Sequence, residues 1–107
     1  MAKFHGNNKK NPKLYHLYEI VDKETDDIFK YGISGDEISP KDNLSKRVRE
    51  QVALGNLFVG WLRYFGRVVV KNIKGNAEAR VLENQYIEIY FNENGDYPIG
   101  NRDRMKK

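Results

Sequence analysis

Apolar residues along this chain follow two periods. From Leu14 to Val21 the residues favour extended backbone, with Tyr15, Tyr18, Ile20 and Val21 prominent. Thr25, Asp26 and Asp27 form a turn, and Ile28–Ser34 is strand-like again. The pair reads as a β-hairpin with a loop longer than two residues. Gly35 to Asp42, with Pro40, reads as a loop. Asn43 then caps a helix from Leu44 to Leu54, closed by Gly55, with the stripe Leu44, Val48 and Val52. Asn56–Leu62 is apolar without a deciding period. Arg63–Ile73 reads as a third strand, driven by Val68, Val69 and Val70. A second helix opens at Gly75-Asn76, capped by Asn76, and stops at Gly95. Its stripe is Ala79, Leu82, Tyr86 and Ile89. The tail Pro98–Arg104 is irregular and basic.

The order β-β-α-β-α predicts a small single α/β domain, a three-stranded, mostly antiparallel sheet flanked by helices. The length, 107 residues, suits one such domain. No internal repeat or low-complexity segment interrupts it. Residues 1–13 are polar and aperiodic and read as a flexible basic arm, leaving 14–107 as the domain.

Composition narrows the chemistry. There is no cysteine, so disulfides, thiolate metal sites and a Cys nucleophile are excluded. No stretch approaches the ~18 apolar residues of a membrane span, and no membrane partner is expected. Net charge is +4, and its distribution says more than its sum. Residues 14–40 are net −5, residues 41–80 net +6 and residues 81–101 net −4. A basic middle between acidic segments suits a polyanionic partner, nucleic acid first.

Three groups fit a plain core poorly. Glu83 lies four residues after Ala79 and four before Ile87, which aims its carboxylate at the buried stripe. A carboxylate there needs a cation, a metal or a hydrogen-bond partner. Arg47 and Gln51 sit one helical turn apart, bordering Leu44, Val48 and Val52, and an arginine at a core edge suits phosphate. Arg49 points roughly the other way. In the hairpin, His16 and Tyr18 share one face, and so do Lys30, Gly32 and Ser34, while Phe29, Tyr31 and Ile33 face the core. A phenol, an imidazole and an amine thus come within reach of one another.

These residues resemble the GIY-YIG nuclease domain family over about residues 14–104. His16-Leu17-Tyr18 corresponds to the first signature strand, and Lys30-Tyr31-Gly32, after eleven intervening residues, to the second. Arg47 matches the family's helical arginine, and Gln51 stands where many members have histidine. Leu82-Glu83-Asn84 resembles the helix bearing the metal-binding glutamate, and Gly100-Asn101 the late asparagine. The departures are His16 for glycine, Lys30 for the second signature tyrosine, and Gln51, which cannot titrate. The wording also resembles toxin modules at the ends of bacterial polymorphic toxins.

The resemblance implies an endonuclease that hydrolyses DNA phosphodiester bonds with one Mg²⁺ or Mn²⁺ held by Glu83, RNA remaining open as substrate. Arg47 would hold the non-bridging oxygens, and Asn101 a backbone turn or a phosphate. Tyr18 is the candidate base for the attacking water, with Lys30 supplying the charge that lowers its pKa; Lys30 itself and His16 are rival bases. DNA affinity is expected from Lys46, Arg49, Arg63, Arg67, Lys71 and Arg102. A toxin module would act in the cytoplasm of a target cell into which it is delivered, and would have an immunity protein as partner. Two other readings stand beside this one: an inactive nucleic-acid-binding module of the same fold, and a protein-interaction domain.

Overall fold

A computed structural model describes residues 13–105. Five main elements follow one another: β1 (Leu14–Asp22), β2 (Asp27–Ser34), α1 (Lys46–Val59), β3 (Tyr64–Lys74) and α2 (Asn76–Asn94). A 3₁₀ turn (Ile99–Asn101) and a short helix α3 (Arg102–Met105) close the described chain. The expected order β-β-α-β-α is the observed one. Apart from Lys13, the basic arm of residues 1–13 lies outside the described residues.

The sheet is antiparallel throughout, in the order β2-β1-β3. Central β1 is buried on both faces because a helix covers each. On one side Leu17 and Tyr31 pack against Ala79 and Ile87 of α2. On the other, Tyr18 and Ile20 pack against Val48 of α1, flanked by Val52 and Tyr64. Adjacent residues of a strand face opposite ways, so Leu17 and Tyr18 serve different cores.

The hairpin register pairs His16 with Ser34, Tyr18 with Gly32 and Ile20 with Lys30. That is the expected shared face. Phe29 departs from strict alternation. The register shifts after Ile20, and Val21 pairs with Ile28, so Phe29 becomes the extra residue of a bulge. Its ring turns to the α1 side, 4.9 Å from that of Tyr64.

The first helix also differs from its sequence reading. Asn43 is not its cap; it sits in a turn with φ 60. Ser45 is the N-cap residue, and its hydroxyl is engaged by His16 rather than by the helix. The helix passes through Gly55 and stops at Gly60, φ 82, taking in most of the undecided apolar segment. Gly55 belongs inside because the Tyr64 ring lies against it. Close packing fixes α1 elsewhere too: a methyl group on Gly66 would overlap Val48.

The second helix begins and ends where expected, although Gly75, φ 91, and not Asn76, is its N-cap. Its buried line is Ala79, Glu83 and Ile87, with Leu82 and Tyr86 beside it. Ile89, assigned to the stripe from sequence, is exposed.

Candidate functional site

Four elements bring Tyr18, Lys30, Arg47 and Glu83 to one cleft of about 230 Å³. Tyr18 comes from central β1, Lys30 from edge strand β2, Arg47 from the first turn of α1 and Glu83 from the second turn of α2. The cleft opens at the β2 edge of the sheet, where the covers from the two faces meet. Its remaining wall includes Arg80, Gly100, Asn101 and Arg104.

The Tyr18 side chain is almost wholly buried, and its hydroxyl donates to Gln51 Oε1 at 3.0 Å. Gly32 makes the geometry available. It stands opposite Tyr18 in the register, and any Cβ there would collide with the phenol ring. Burial raises the Tyr18 pKa above the ordinary phenol value, and the Arg47 guanidinium beside it opposes the rise. The cation facing the phenol is therefore Arg47. Lys30, expected in that role, lines the same cleft from the edge strand, with its backbone opposite Ile20. Burial lowers the Lys30 pKa, Arg47 lowers it further, and Glu83 opposes.

Glu83 is one of the most buried carboxylates, at 2% exposure. Its Oε1 accepts from Arg80 Nη1 at 2.8 Å and Arg104 Nη1 at 3.0 Å. Among the described residues no hydrogen bond reaches Oε2. Arg80 follows from helical geometry, three residues before Glu83, and the sequence reading missed it. Arg104 is 21 residues away and carries no local signal. Four cations thus surround one carboxylate in a small cleft, an electrostatic match for a polyanion.

Asn101 lines the cleft, and its amide serves the backbone, the first of its two expected roles. The Tyr31 N–H donates to Asn101 Oδ1 at 2.9 Å, and Asn101 Nδ2 donates to the Tyr31 carbonyl at 3.0 Å. One buried side chain thereby completes the outer edge of β2 and fixes its neighbour Lys30. Asn101→Leu is expected to leave both Tyr31 groups unpaired and to cost about 2–4 kcal/mol, read by chemical denaturation.

His16 lies apart from this cleft. It is buried, its Nε2 is 2.9 Å from Ser45 Oγ, and its ring centroid is 6.3 Å from that of Tyr18. Burial lowers its pKa, with Asp36 opposing. Its geometry is that of a strut between β1 and the start of α1.

None of Lys46, Arg49, Arg63, Arg67, Lys71 and Arg102 lines the cleft. Most are held by neighbouring acids. Arg63 forms a two-pronged pair with Asp22, at 2.9 and 2.8 Å, and also meets Glu24. Arg67 is paired with Glu19, Arg49 with Asp42, and Arg102 with Asp96 and the Tyr97 carbonyl. Lys46 lies 4.0 Å from Glu50. Lys71 is exposed on β3, away from the cleft. The cations gathered in the cleft are Lys30, Arg47, Arg80 and Arg104, so any phosphate contacts of these six lie outside it.

Among the described residues no group of three or more His, Asp and Glu side chains could cage a metal ion. What the cleft offers is one buried carboxylate with one oxygen committed. Hard divalent cations that keep most of their waters accept such an anchor, the substrate supplying further oxygens. No helix among the described residues is long and apolar enough to cross a membrane.

An α/β domain with a cationic cleft at its sheet edge agrees with a toxin-type assignment. The chain belongs to the family described as URI fold toxin 2, whose model matches residues 6–95. No curated protein and no solved structure matches it.

Proposed function

We propose that this chain is a nuclease toxin of the GIY-YIG type that hydrolyses phosphodiester bonds of DNA inside a target cell. The observation that carries the reading is the convergence of Tyr18, Lys30, Arg47 and Glu83, distant in sequence, on one small cleft. Membership of a toxin family supports it.

In this reading Arg47 grips the non-bridging oxygens of the scissile phosphate and stabilises the charge that builds on them. Glu83 would hold Mg²⁺ or Mn²⁺ through Oε2, while Arg80 and Arg104 fix Oε1. A bound cation would neutralise charge on the phosphate and the leaving oxygen. The Tyr18 oxygen takes a proton from the attacking water. Gln51 orients that hydroxyl without titrating, and Asn101 holds β2, and with it Lys30, in place.

The pH dependence follows from the sign of the Tyr18 shift. A base works only when deprotonated, and burial moves the phenol above its ordinary pKa of ~10. The single-turnover rate is therefore expected to climb with pH through the alkaline range. Lys30→Met should retain that climb. A rate that no longer responds to alkali in Lys30→Met would transfer the role of base to Lys30.

Arg47→Ala is expected to cost far more rate than Arg49→Ala. An oriented transition-state donor is worth roughly 10²–10³ in rate. Arg49 is committed to Asp42 and the Leu44 carbonyl, outside the cleft. Single-turnover cleavage at saturating DNA separates the two, and equal losses would refute the assignment of Arg47.

The direct test incubates the protein with supercoiled plasmid, with and without Mg²⁺. Metal-dependent nicking is expected. Binding without nicking would identify an inactive nucleic-acid-binding module, and no binding of plasmid or of single-stranded DNA at low salt would overturn the nucleic-acid reading.

A further inference from the structure

A second depression adjoins the cleft. It is an open groove of about 760 Å³ between the sheet and the later turns of α1. Its walls are mainly apolar: Ile20, Phe29 and Tyr64 from the sheet, Leu54, Phe58 and Val59 from the helix. Among the described residues no carboxylate lines it. Phe58 is 90% exposed and Leu54 68%, an unusual cost for a small domain unless something covers them.

The groove and the cationic cleft share a wall residue. Lys30 lines both. Gln51 lines the groove and also accepts the Tyr18 hydrogen bond. A ligand spanning the two would place an anionic group at Arg47 and Lys30 and a flat apolar group against Phe58, Phe29 and Tyr64. Arg47 and Phe58 are eleven residues apart on α1, about 16 Å along its axis, a span that a short strand of phosphates, sugars and bases covers.

We infer that the groove seats an unpaired nucleobase of the strand whose scissile phosphate lies in the cleft, so that the substrate is single-stranded or locally unpaired nucleic acid. The inference rests on the nuclease reading and deepens it. In a duplex both faces of a base are stacked and its edge is paired, leaving nothing to offer an aromatic wall. An unpaired base offers a whole face, and stacking of this kind tolerates any base identity. The absence of acids along the groove suits a strand that carries a phosphate on each side of the base. A second copy of the chain, seated on Leu57, Phe58 and Leu62, is the competing occupant.

The test compares dye-labelled oligothymidylate with an abasic strand of the same length, and with a duplex, by fluorescence anisotropy. The abasic strand keeps every phosphate and lacks the bases. The wild-type protein is expected to bind oligothymidylate roughly ten- to a hundredfold more tightly than the abasic strand. Phe58→Ala should remove that advantage while leaving abasic binding unchanged; because the ring is exposed, the fold should survive. Equal wild-type affinity for the two strands would overturn the inference. If the same protein still nicks plasmid in a Tyr18-dependent way, the nuclease reading stands without it. If no oligonucleotide binds and none is cut, both fall together. A dimer in sedimentation that Phe58→Ala dissociates, with oligonucleotide affinity untouched, would assign the groove to a second copy and overturn the inference.

Discussion

Tyr18→Phe is expected to abolish cleavage while leaving the protein folded. The substitution removes one hydroxyl and keeps the ring, which packs over Gly32 and among Ile20 and Val48. The hydrogen bond to Gln51 disappears, at a cost of no more than about 1 kcal/mol, since Gln51 is only partly buried and water can replace the phenol. The rate should nevertheless fall by roughly 10²–10⁴, the usual worth of a positioned general base. Single-turnover nicking and a thermal melt on the same preparation measure both effects. A Tyr18→Phe protein that cuts at the parental rate would falsify Tyr18 as base. The role would then pass to Lys30, a cleft amine whose pKa burial lowers. His16, tied to Ser45 outside the cleft, is not the next candidate.

Glu83→Gln is the second large effect, and here both stability and activity should move. From sequence the side chain looks like a lone carboxylate, and an isosteric amide should leave the fold almost untouched. In the folded chain it is the shared partner of Arg80 and Arg104. An amide oxygen can still accept from both guanidiniums, but two charge-assisted hydrogen bonds lose their charge. A loss of about 1–3 kcal/mol follows. Metal-dependent cutting should fall further, by several kcal/mol in the barrier, on the order of a thousandfold in rate. Assays across an Mg²⁺ titration, well below the melting point of the variant, separate the two effects. Arg80→Ala serves as a control: it removes one ion pair and keeps the carboxylate. Full activity in Glu83→Gln would sink the metal assignment, whatever the melt shows.

The cations outside the cleft carry a separate lesson. Residues 41–80 are strongly basic as a segment, which invites the picture of a basic nucleic-acid-binding face. Folding disperses that charge. Arg63, just before β3, and Arg67 on it find Asp22 and Glu19 on neighbouring β1, acids from the segment that looks acidic in isolation. Two of that segment's nine cations are thus paired across the sheet with acids of the other block, and segmental charge sums overstate the available positive surface by that much. The cleft draws its charge from residues scattered over four elements.

Local rules determined much of this protein in advance. The hairpin, its shared face of Tyr18, Lys30 and Gly32, the third strand and both ends of α2 follow from period, turn residues and terminal glycines. So does the burial of Glu83, which needs only the spacing to Ala79 and Ile87 on one helix. The arrangements that resisted prediction depend on contacts between residues far apart in the chain. Gly55 looked like a helix stop because a glycine usually is one; the Tyr64 ring, supplied by the next strand, keeps it inside the helix. Phe29 left its expected face because a bulge changes pairing without changing composition. Asn101 became a backbone clasp for Tyr31 across 70 residues, and Arg104 a partner for Glu83 across 21. Sequence period reports which face of an element is buried. It carries no information on which side chain from another element will meet that face, and such meetings decided the cleft.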